Sequence, residues 1–197
     1  MGALEALLRW DAAVRGWLTT HHTPVVDAAM VMLSMIGRGG AVWLMLAGAA
    51  AVHDRRHLRA AARVVLIILL TYATVDGVLK PIFARARPFN AIADVRVVDT
   101  RRPTTYSFPS GHAAMSFAGA VGLMAIWPQQ VWLLALAFAI AFSRIYVGVH
   151  YPLDVLIGGL VGGVIGWSVV RWLPLNARGP DRSAARAGRP ADDARRS

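Results

Sequence analysis

The chain has 197 residues, of which 56% are hydrophobic and 16% charged, with no cysteine and a formal net charge of +10. The mean hydropathy of +0.49 excludes an ordinary soluble domain, and the lack of cysteine excludes disulfides, thiolate catalysis and cysteine metal sites. The composition predicts one multi-span membrane domain. Most basic residues cluster beside apolar stretches, where they set orientation, so we expect no nucleic-acid partner.

Residues 1–20 predict an amphipathic helix that lies on the membrane surface. Within Gly2–Leu18, the apolar residues Trp10, Val14 and Trp17 recur at helical spacing, with charged residues mostly on other faces. The segment lacks the basic region and small-residue cleavage site of a secretory signal. We therefore expect the first true span to direct insertion.

Six apolar stretches follow, with lengths that approach or reach those of membrane-crossing helices. They are Pro24–Gly37, Gly39–Val52, Val64–Leu79, Ala113–Trp127, Val131–Tyr146 and Leu153–Leu173. The helix breaker at 37–40 indicates that the first two are short separate spans. The predicted fold is all-α, a polytopic membrane bundle of six transmembrane helices with an N-terminal interfacial helix.

Basic residues also predict the orientation of this bundle. The arginine-rich tail, residues 176–197, has too few apolar residues to pack and is expected to be disordered and cytoplasmic. The basic loop His53–Arg63 then lies on the same side, as does the N-terminus, while Lys80–His112 and Tyr146–Leu153 face outward. Residues 1–175 form the single predicted membrane domain.

The last span carries glycines at 158, 159, 162, 163 and 166. Small residues four apart let two helices approach closely in a membrane. We interpret these glycines as packing positions without a direct role in a site.

Cations are concentrated at span ends on the predicted outer side, where the orientation rule predicts few. Lys80, Arg87 and Arg144 need partners there, because a cation held away from water is costly. The outer segments offer few carboxylates against many cations: Asp94, Asp99 and Asp154 against Lys80, Arg85, Arg87, Arg96, Arg101, Arg102 and Arg144. The missing partner should be an anion, and phosphate suits guanidinium and ammonium groups.

The stretch SFPSGHAAMS opens the fourth span with polar residues. Backbone N–H groups of Ser110, Gly111 and His112 would lie at the positive end of the helix dipole, beside a hydroxyl. This is half of a phosphate cradle. Ser110 as a hydrolase nucleophile is disfavoured because the G-x-S-x-G elbow is missing, whereas a helix cap is expected.

Two histidines, His112 and His150, complete the outer constellation. Asp154 follows His150 by four residues and can fix its tautomer. One histidine can attack phosphorus while the other protonates the leaving oxygen, and Asp154 favours His150 as the nucleophile without deciding it. A metal site formed by His112, His150 and Asp154 is the alternative, disfavoured by the surrounding cations.

Three motifs together resemble the type 2 phosphatidic acid phosphatase superfamily. They are K-x6-R-P at Lys80–Pro88, P-S-G-H at Pro109–His112 and S-R-x5-H-x3-D at Ser143–Asp154. The resemblance implies an integral membrane lipid phosphatase that needs neither metal nor cofactor. It also implies that His150 forms a phosphohistidine assisted by Asp154, with His112 as the general acid. The phosphate-binding residues that it implies are Lys80, Arg87, Ser110, Gly111 and Arg144.

Several functional questions stay open at this point. The favoured substrate is a polyprenyl diphosphate such as undecaprenyl diphosphate, with phosphatidic acid or phosphatidylglycerophosphate as alternatives. A lipid-binding or lipid-translocating protein is the rival class, although it needs no paired histidines, and vanadium haloperoxidases of this superfamily are typically soluble. Arg85, Arg101 and Arg102 are expected either to contact the headgroup or to be solvated. The predicted location is the cell membrane, with the site outward.

Overall fold

The computed structural model describes residues 2–19, 22–91, 97–98 and 102–173, and these contain helices and no strand. The all-α prediction is confirmed for this part of the chain. The α-helices are α1 (Ala3–Thr19), α2 (Pro24–Ile36), α3 (Ala41–His53), α4 (Leu58–Tyr72), α5 (Lys80–Phe83), α6 (Pro88–Ala91), α7 (Gly111–Met124), α8 (Trp132–Tyr146) and α9 (Pro152–Trp172). They are supplemented by 3₁₀ turns at Arg38–Gly40 and Arg55–His57 and a π-helix at Ala73–Leu79.

Helix α7 lies at the centre of the bundle, in contact with α3, α4, α8 and α9. Its residues are mostly small and buried, so neighbouring helices approach its backbone closely. The fully buried Trp43 of α3 packs against Gly119, where any side chain would collide with the indole. The core therefore surrounds the helix that begins at the predicted phosphate cradle.

The interface of α7 with α9 depends on one register of the predicted glycines. A Cβ at Gly158 would lie 2.5 Å from the Ser110 carbonyl oxygen, and one at Gly166 would lie 2.9 Å from that of Ala118. Gly162 faces the Ala114 carbonyl in the same way, whereas a Cβ at Gly163 would meet nothing within 4 Å. The packing interpretation is confirmed for this register, which fixes α9 against the start of α7.

Helices α2 and α3 are joined end to end with a bend of 50°. Along α2, Asp27 bonds the Tyr146 hydroxyl at 2.8 Å and Gly37 packs on Ile140, so α2 runs antiparallel to the end of α8. Helix α3 then continues to the turn before α4. The predicted break at Arg38–Gly40 is present, but the two segments form one broken crossing of the bundle instead of two.

The two ends of the bundle are defined by contacts between distant segments. At the site end, Asp11 of α1 accepts a hydrogen bond from the Leu153 amide at 2.8 Å. At the opposite end, Arg63 donates to the Leu173 carbonyl at 3.0 Å, where α9 ends. In the described chain, the bundle is crossed five times, by α2 with α3 and by α4, α7, α8 and α9. The predicted six transmembrane helices are not confirmed.

These contacts also correct the predicted topology. We expected the N-terminus to lie on the side opposite the site, together with the tail, but α1 lies at the site end and α9 finishes at the other. Because the described chain crosses the bundle five times, an odd number, its two ends lie at opposite ends of the bundle. The structure therefore does not support two cytoplasmic termini.

Some helices of the described residues are long and apolar enough to cross a membrane, and others are not. Arg55–Ala91 and Pro152–Trp172 are long and apolar enough to cross a bilayer, and the bent pair α2 with α3 is a third such segment if counted together. Several predicted features lie outside the described residues: the tail 176–197 and the residues Asp94, Arg96, Asp99 and Arg101.

Helix α1 has the predicted helical structure, but of Trp10, Val14 and Trp17 only Val14 packs against the protein. Leu18 is buried with Val14 against the end of α8, and Asp11 is only 1% exposed. Trp10 and Trp17 are exposed, as expected of a helix that also meets lipid.

Candidate active site

A cavity of about 270 Å³ opens at the site end of the bundle. Six of the eight predicted site residues line it: Lys80, Arg87, Gly111, His112, Arg144 and His150. Arg38, Gly39, Tyr72, Asp76, Pro103, Thr105 and Met115 complete the lining. Three stretches remote in sequence therefore meet at one cavity, and the break between α2 and α3 contributes a fourth.

One side of the cavity is built by the π-helix that precedes α5. Its Asp76 carboxylate accepts a hydrogen bond from the buried Lys80 ammonium, one turn later. A Cβ at Gly111 would lie 2.7 Å from Asp76 Oδ2, so α7 begins close to this carboxylate, and any larger residue would displace the Asp76 side chain. Gly111 therefore contributes to packing at this side of the cavity. Asp76 was missed by the sequence analysis because it lies inside an apolar predicted span.

His150 lies in the short turn between α8 and α9 and is 1% exposed. Its Nε2 atom is 3.3 Å from Arg87 Nη1, and its Nδ1 atom is 3.4 Å from Asp154 Oδ2. Burial lowers the pKa of the imidazole to about 3, with Arg87 and Arg144 acting in the same direction and Asp154 opposing them. The ring is thus neutral near pH 7, and Nε2 is the nitrogen on the Arg87 side.

Arg87 is held rigidly in the cavity wall by backbone carbonyls. Its guanidinium donates to the Thr105 carbonyl at 2.6 Å and to the Val149 carbonyl at 2.9 Å. Further bonds reach the Thr105 hydroxyl and the Tyr106 carbonyl. Such fixed donors reduce the cost of orienting a bound anion.

Asp154 lies behind His150 at the start of α9 and is fully buried. Its Oδ2 atom accepts a hydrogen bond from the Tyr151 amide at 2.9 Å and one from the Ser107 hydroxyl. Its Oδ1 atom accepts one from Arg85 at 2.7 Å. The carboxylate is therefore occupied on both oxygens and positions His150 instead of entering the cavity.

Arg85 connects Asp154 to the N-terminal helix, which corrects its predicted role. Its second nitrogen bonds Asp11 at 2.6 Å, and the guanidinium stacks on the Tyr151 ring at 3.9 Å. Its two carboxylate partners show that it is not a solvated charge. We call Asp11, Arg85, Asp154, Ser107 and His150 the carboxylate network. The sequence offered one signal for Asp11, namely a charged residue next to the apolar face of α1.

Two other predicted residues have different surroundings from those expected. Ser110 does not line the cavity: its hydroxyl caps α7 by accepting from the Ala113 amide at 3.5 Å, and its own amide bonds the Asp154 carbonyl at 2.9 Å. Arg102 lies 5.6 Å above the Phe89 ring. The cap interpretation of Ser110 fits this arrangement, and because the hydroxyl accepts this bond, its own proton stays available for donation.

His112 and Arg144 face the cavity from α7 and α8. The Nε2 atom of His112 is buried and has no hydrogen-bond partner among the residues that the structure describes. Arg144 donates to the Ser34 hydroxyl of α2. An unpartnered buried nitrogen is costly, and it suits a group that exchanges a proton with a bound molecule.

The metal alternative finds no support in the arrangement of side chains. No cluster of three metal-ligating side chains exists within the described ranges. The oxygens of Asp154 are held by Ser107, Arg85 and Tyr151, as described above. The cavity lining has four cations against one carboxylate, which suits an anion.

Comparisons with known proteins agree with the motifs. The sequence model of the PAP2 superfamily matches residues 60–178, a range that contains every predicted site residue and excludes α1, α2 and α3. An undecaprenyl-diphosphatase from Sulfolobus acidocaldarius is 35% identical over 151 residues, which are 75% of this chain and 67% of that protein.

Two crystal structures share the fold. LpxE from Aquifex aeolicus superposes with a TM-score of 0.68 at 28% identity, covering 81% of this chain and 94% of that one. A transmembrane PAP2-type phosphatidylglycerolphosphate phosphatase from Bacillus subtilis superposes with a TM-score of 0.67 at 22% identity, covering 89% and 90%. At this identity the second likeness concerns the fold alone.

Proposed function

The chain belongs to the PAP2 superfamily of membrane phosphatases, and we propose that it hydrolyses a lipid phosphate or diphosphate through a phosphohistidine formed on His150. One observation carries the mechanism. His150 Nε2 lies 3.3 Å from the fixed guanidinium of Arg87 at a cationic cavity, while Asp154 holds the other ring nitrogen. A neutral imidazole oriented in this way is a competent nucleophile.

In the first step, Nε2 of His150 attacks phosphorus and the bond from phosphorus to the leaving oxygen breaks. Lys80, Arg87 and Arg144 hold the phosphoryl oxygens, where negative charge is concentrated. His112 gives its proton to the leaving oxygen. The charge of the bound phosphate favours the protonated form of this histidine.

In the second step, water attacks the phosphohistidine and its proton passes to His112, which now acts as a base. The bond between phosphorus and Nε2 breaks, so inorganic phosphate leaves and both histidines return to their starting states. Asp154 stabilises the positive charge that forms on His150 during attack. No step in this cycle uses a metal ion.

A polyprenyl diphosphate is the favoured substrate. The support is the 35% identity with the Sulfolobus undecaprenyl-diphosphatase and the excess of cations over carboxylates in the cavity lining. Phosphatidic acid and phosphatidylglycerophosphate remain the alternatives. The site would face the outer side of the cell membrane, and the lipid tail would stay among the helices.

The test measures inorganic phosphate released by detergent-solubilised protein from four compounds: polyprenyl diphosphate, phosphatidic acid, phosphatidylglycerophosphate and a soluble phosphomonoester. We expect the diphosphate to give the highest kcat/KM. Replacing the nucleophile in His150→Ala should lower turnover by roughly 10⁴-fold or more. Vanadate should inhibit competitively, since it adopts the geometry of the transition state.

Controls separate the rival functions. EDTA should leave the rate unchanged, and loss of activity on its addition would contradict a metal-independent mechanism. Turnover retained by His150→Ala would contradict the covalent intermediate. Absence of phosphate release from all four compounds would favour a lipid-binding or lipid-translocating protein.

A further inference from the structure

The cavity contains a cation that belongs to none of the three motifs. Arg38 lines it from the break between α2 and α3, outside the range matched by the family model. Gly39 and Gly40 have φ angles of 58° and 73°, in the left-handed region that favours glycine. Together they redirect the chain immediately after Arg38. A Cβ at Gly40 would lie 3.0 Å from Ile68, so the bend is also held close against α4.

Arg38 differs from the other arginines of the cavity in its bonding. Arg87 is anchored by three carbonyls, and Arg144 donates to the Ser34 hydroxyl. The side chain of Arg38, which is exposed, forms no hydrogen bond or ion pair with any residue in the described part of the chain, whereas its backbone carbonyl accepts a bond from the Ala41 amide. A guanidinium that lines a cationic cavity without a partner is electrostatically suited to receive an anion.

The charge of the cavity exceeds what one phosphate monoester neutralises. Four cations and one carboxylate line it, a net of three positive charges before either histidine is counted. A phosphate monoester carries about two negative charges near pH 7, and a second phosphate group adds about one more. Without Arg38, the same count falls to two positive charges, so Arg38 supplies one third of the net fixed charge of the lining.

The volume of the cavity leads to the same conclusion. Its volume of about 270 Å³ is about nine times the roughly 30 Å³ that one water occupies in the liquid. A single phosphoryl group held by Arg87 and His150 fills only part of this volume. Room remains for a second phosphate group that Arg38 can reach from the α2–α3 break.

We propose that Arg38 binds the lipid-side phosphate of a diphosphate substrate, while Lys80, Arg87 and Arg144 bind the terminal phosphate attacked by His150. Arg38 is then the residue that makes the cavity selective for diphosphates over monophosphates. The lipid-side phosphate is the leaving group of this reaction, so Arg38 also stabilises the charge that develops on it. The inference rests on the proposed function, because it concerns the same cavity.

The experiment compares wild type, Arg38→Gln and Arg38→Lys with Arg59→Gln, which removes an exposed arginine at the far end of α4. The first measurement is kcat/KM for a polyprenyl diphosphate and for the corresponding monophosphate. The second is the inhibition constant of inorganic pyrophosphate relative to that of orthophosphate, which is obtained even if only one lipid is hydrolysed.

We expect Arg38→Gln to lower the preference for diphosphate over monophosphate by about tenfold or more, as loss of a charged hydrogen bond does. The preference of inhibition for pyrophosphate should fall by a similar factor. Arg38→Lys should retain part of both preferences, and Arg59→Gln should retain all of them. Unchanged thermal midpoints would show that the variants are folded.

Three results would overturn the inference. Equal losses on both substrates in Arg38→Gln would make Arg38 a general phosphate ligand, and unchanged preferences would exclude it from binding. A wild type that releases phosphate from no lipid would remove the proposed function itself. That last outcome is recognised before any variant is measured, so the two failures are distinguishable.

Discussion

The carboxylate network and the cavity lining differ in how their polar groups are satisfied. In the network, both oxygens of Asp154 are hydrogen-bonded, and Arg85 is bonded to two carboxylates at once. In the lining, the Nε2 atom of His112 has no partner in the described part of the chain, and neither has the side chain of Arg38. The difference separates groups that position the nucleophile from groups that meet the substrate.

The comparison teaches that burial has two uses within one site. A buried polar group normally requires a partner, because an unsatisfied donor or acceptor costs about 1–3 kcal/mol. The buried polar groups of the network are hydrogen-bonded to one another, and these bonds keep His150 in one orientation. In the lining, the buried Nε2 atom of His112 has no partner within the described residues, so part of the binding energy comes from satisfying it, whereas the exposed Arg38 exchanges water for the anion.

Replacing His112 tests the open part of the site and should have a larger effect than any change in the carboxylate network outside His150. We expect His112→Gln to lower kcat on a lipid monophosphate by roughly 10²–10⁴-fold, the usual contribution of a general acid. The loss should be much smaller on an aryl phosphate with an acidic phenol, which leaves without protonation. The measurement is kcat on both substrates. An equal loss on both would mean that His112 only positions the substrate.

Replacing Asp11 tests the satisfied part and should have an intermediate effect. Without this carboxylate, Arg85 is balanced by Asp154 alone and draws it from His150. We expect Asp11→Asn to lower kcat by about tenfold, the value of one charged hydrogen bond, with little change in KM, since Asp11 does not line the cavity.

The matched control for Asp11→Asn is Glu5→Gln on the same helix. Glu5 pairs with Arg9 at 2.7 Å on the exposed surface, and such pairs contribute little. Its kcat should equal that of wild type. A raised KM with unchanged kcat in Asp11→Asn would show that α1 acts on substrate access. A kcat in Glu5→Gln as low as that of Asp11→Asn would show that α1 acts through general stability.

The pKa of His150 predicts a smaller effect, on stability. At a pH above the ordinary value of 6.5, the imidazole is neutral in both the folded and unfolded protein. Between that pH and about 3, the unfolded chain binds a proton that the folded one excludes, so stability falls as the pH falls. We expect the thermal midpoint of wild type to decrease more between pH 7 and 4 than that of His150→Gln, measured by light scattering or intrinsic fluorescence. Parallel decreases would contradict a neutral buried imidazole.

Sequence patterns predicted the meeting of the three motifs because each motif lies at the end of an apolar segment. Spans of similar length return to the same surface, so residues at alternate ends meet even when far apart in sequence. Lys80, Arg87, His112 and His150 do line one cavity. The glycines of α9 likewise indicated close packing before any contact was known.

The sequence was less informative where a polar residue lies within an apolar or amphipathic segment. Asp76 and Asp11 were not recognised, because hydropathy gives no indication of the face on which one charge lies. Arg85 could not be assigned a partner for the same reason. The count of spans is not confirmed at Arg38–Gly40, where a glycine break fits two short helices as well as one bent crossing.

By itself, the sequence determined the helical class, the membrane character and the chemical groups of the site, because these follow from composition and from residue types at fixed spacing. The tertiary structure alone decided that α1 lies at the site end, that Arg85 joins Asp11 to Asp154, and that Arg38 lines the cavity. These facts depend on the angle and depth at which helices pack. Close packing of many side chains sets those quantities, and no single residue pattern encodes them.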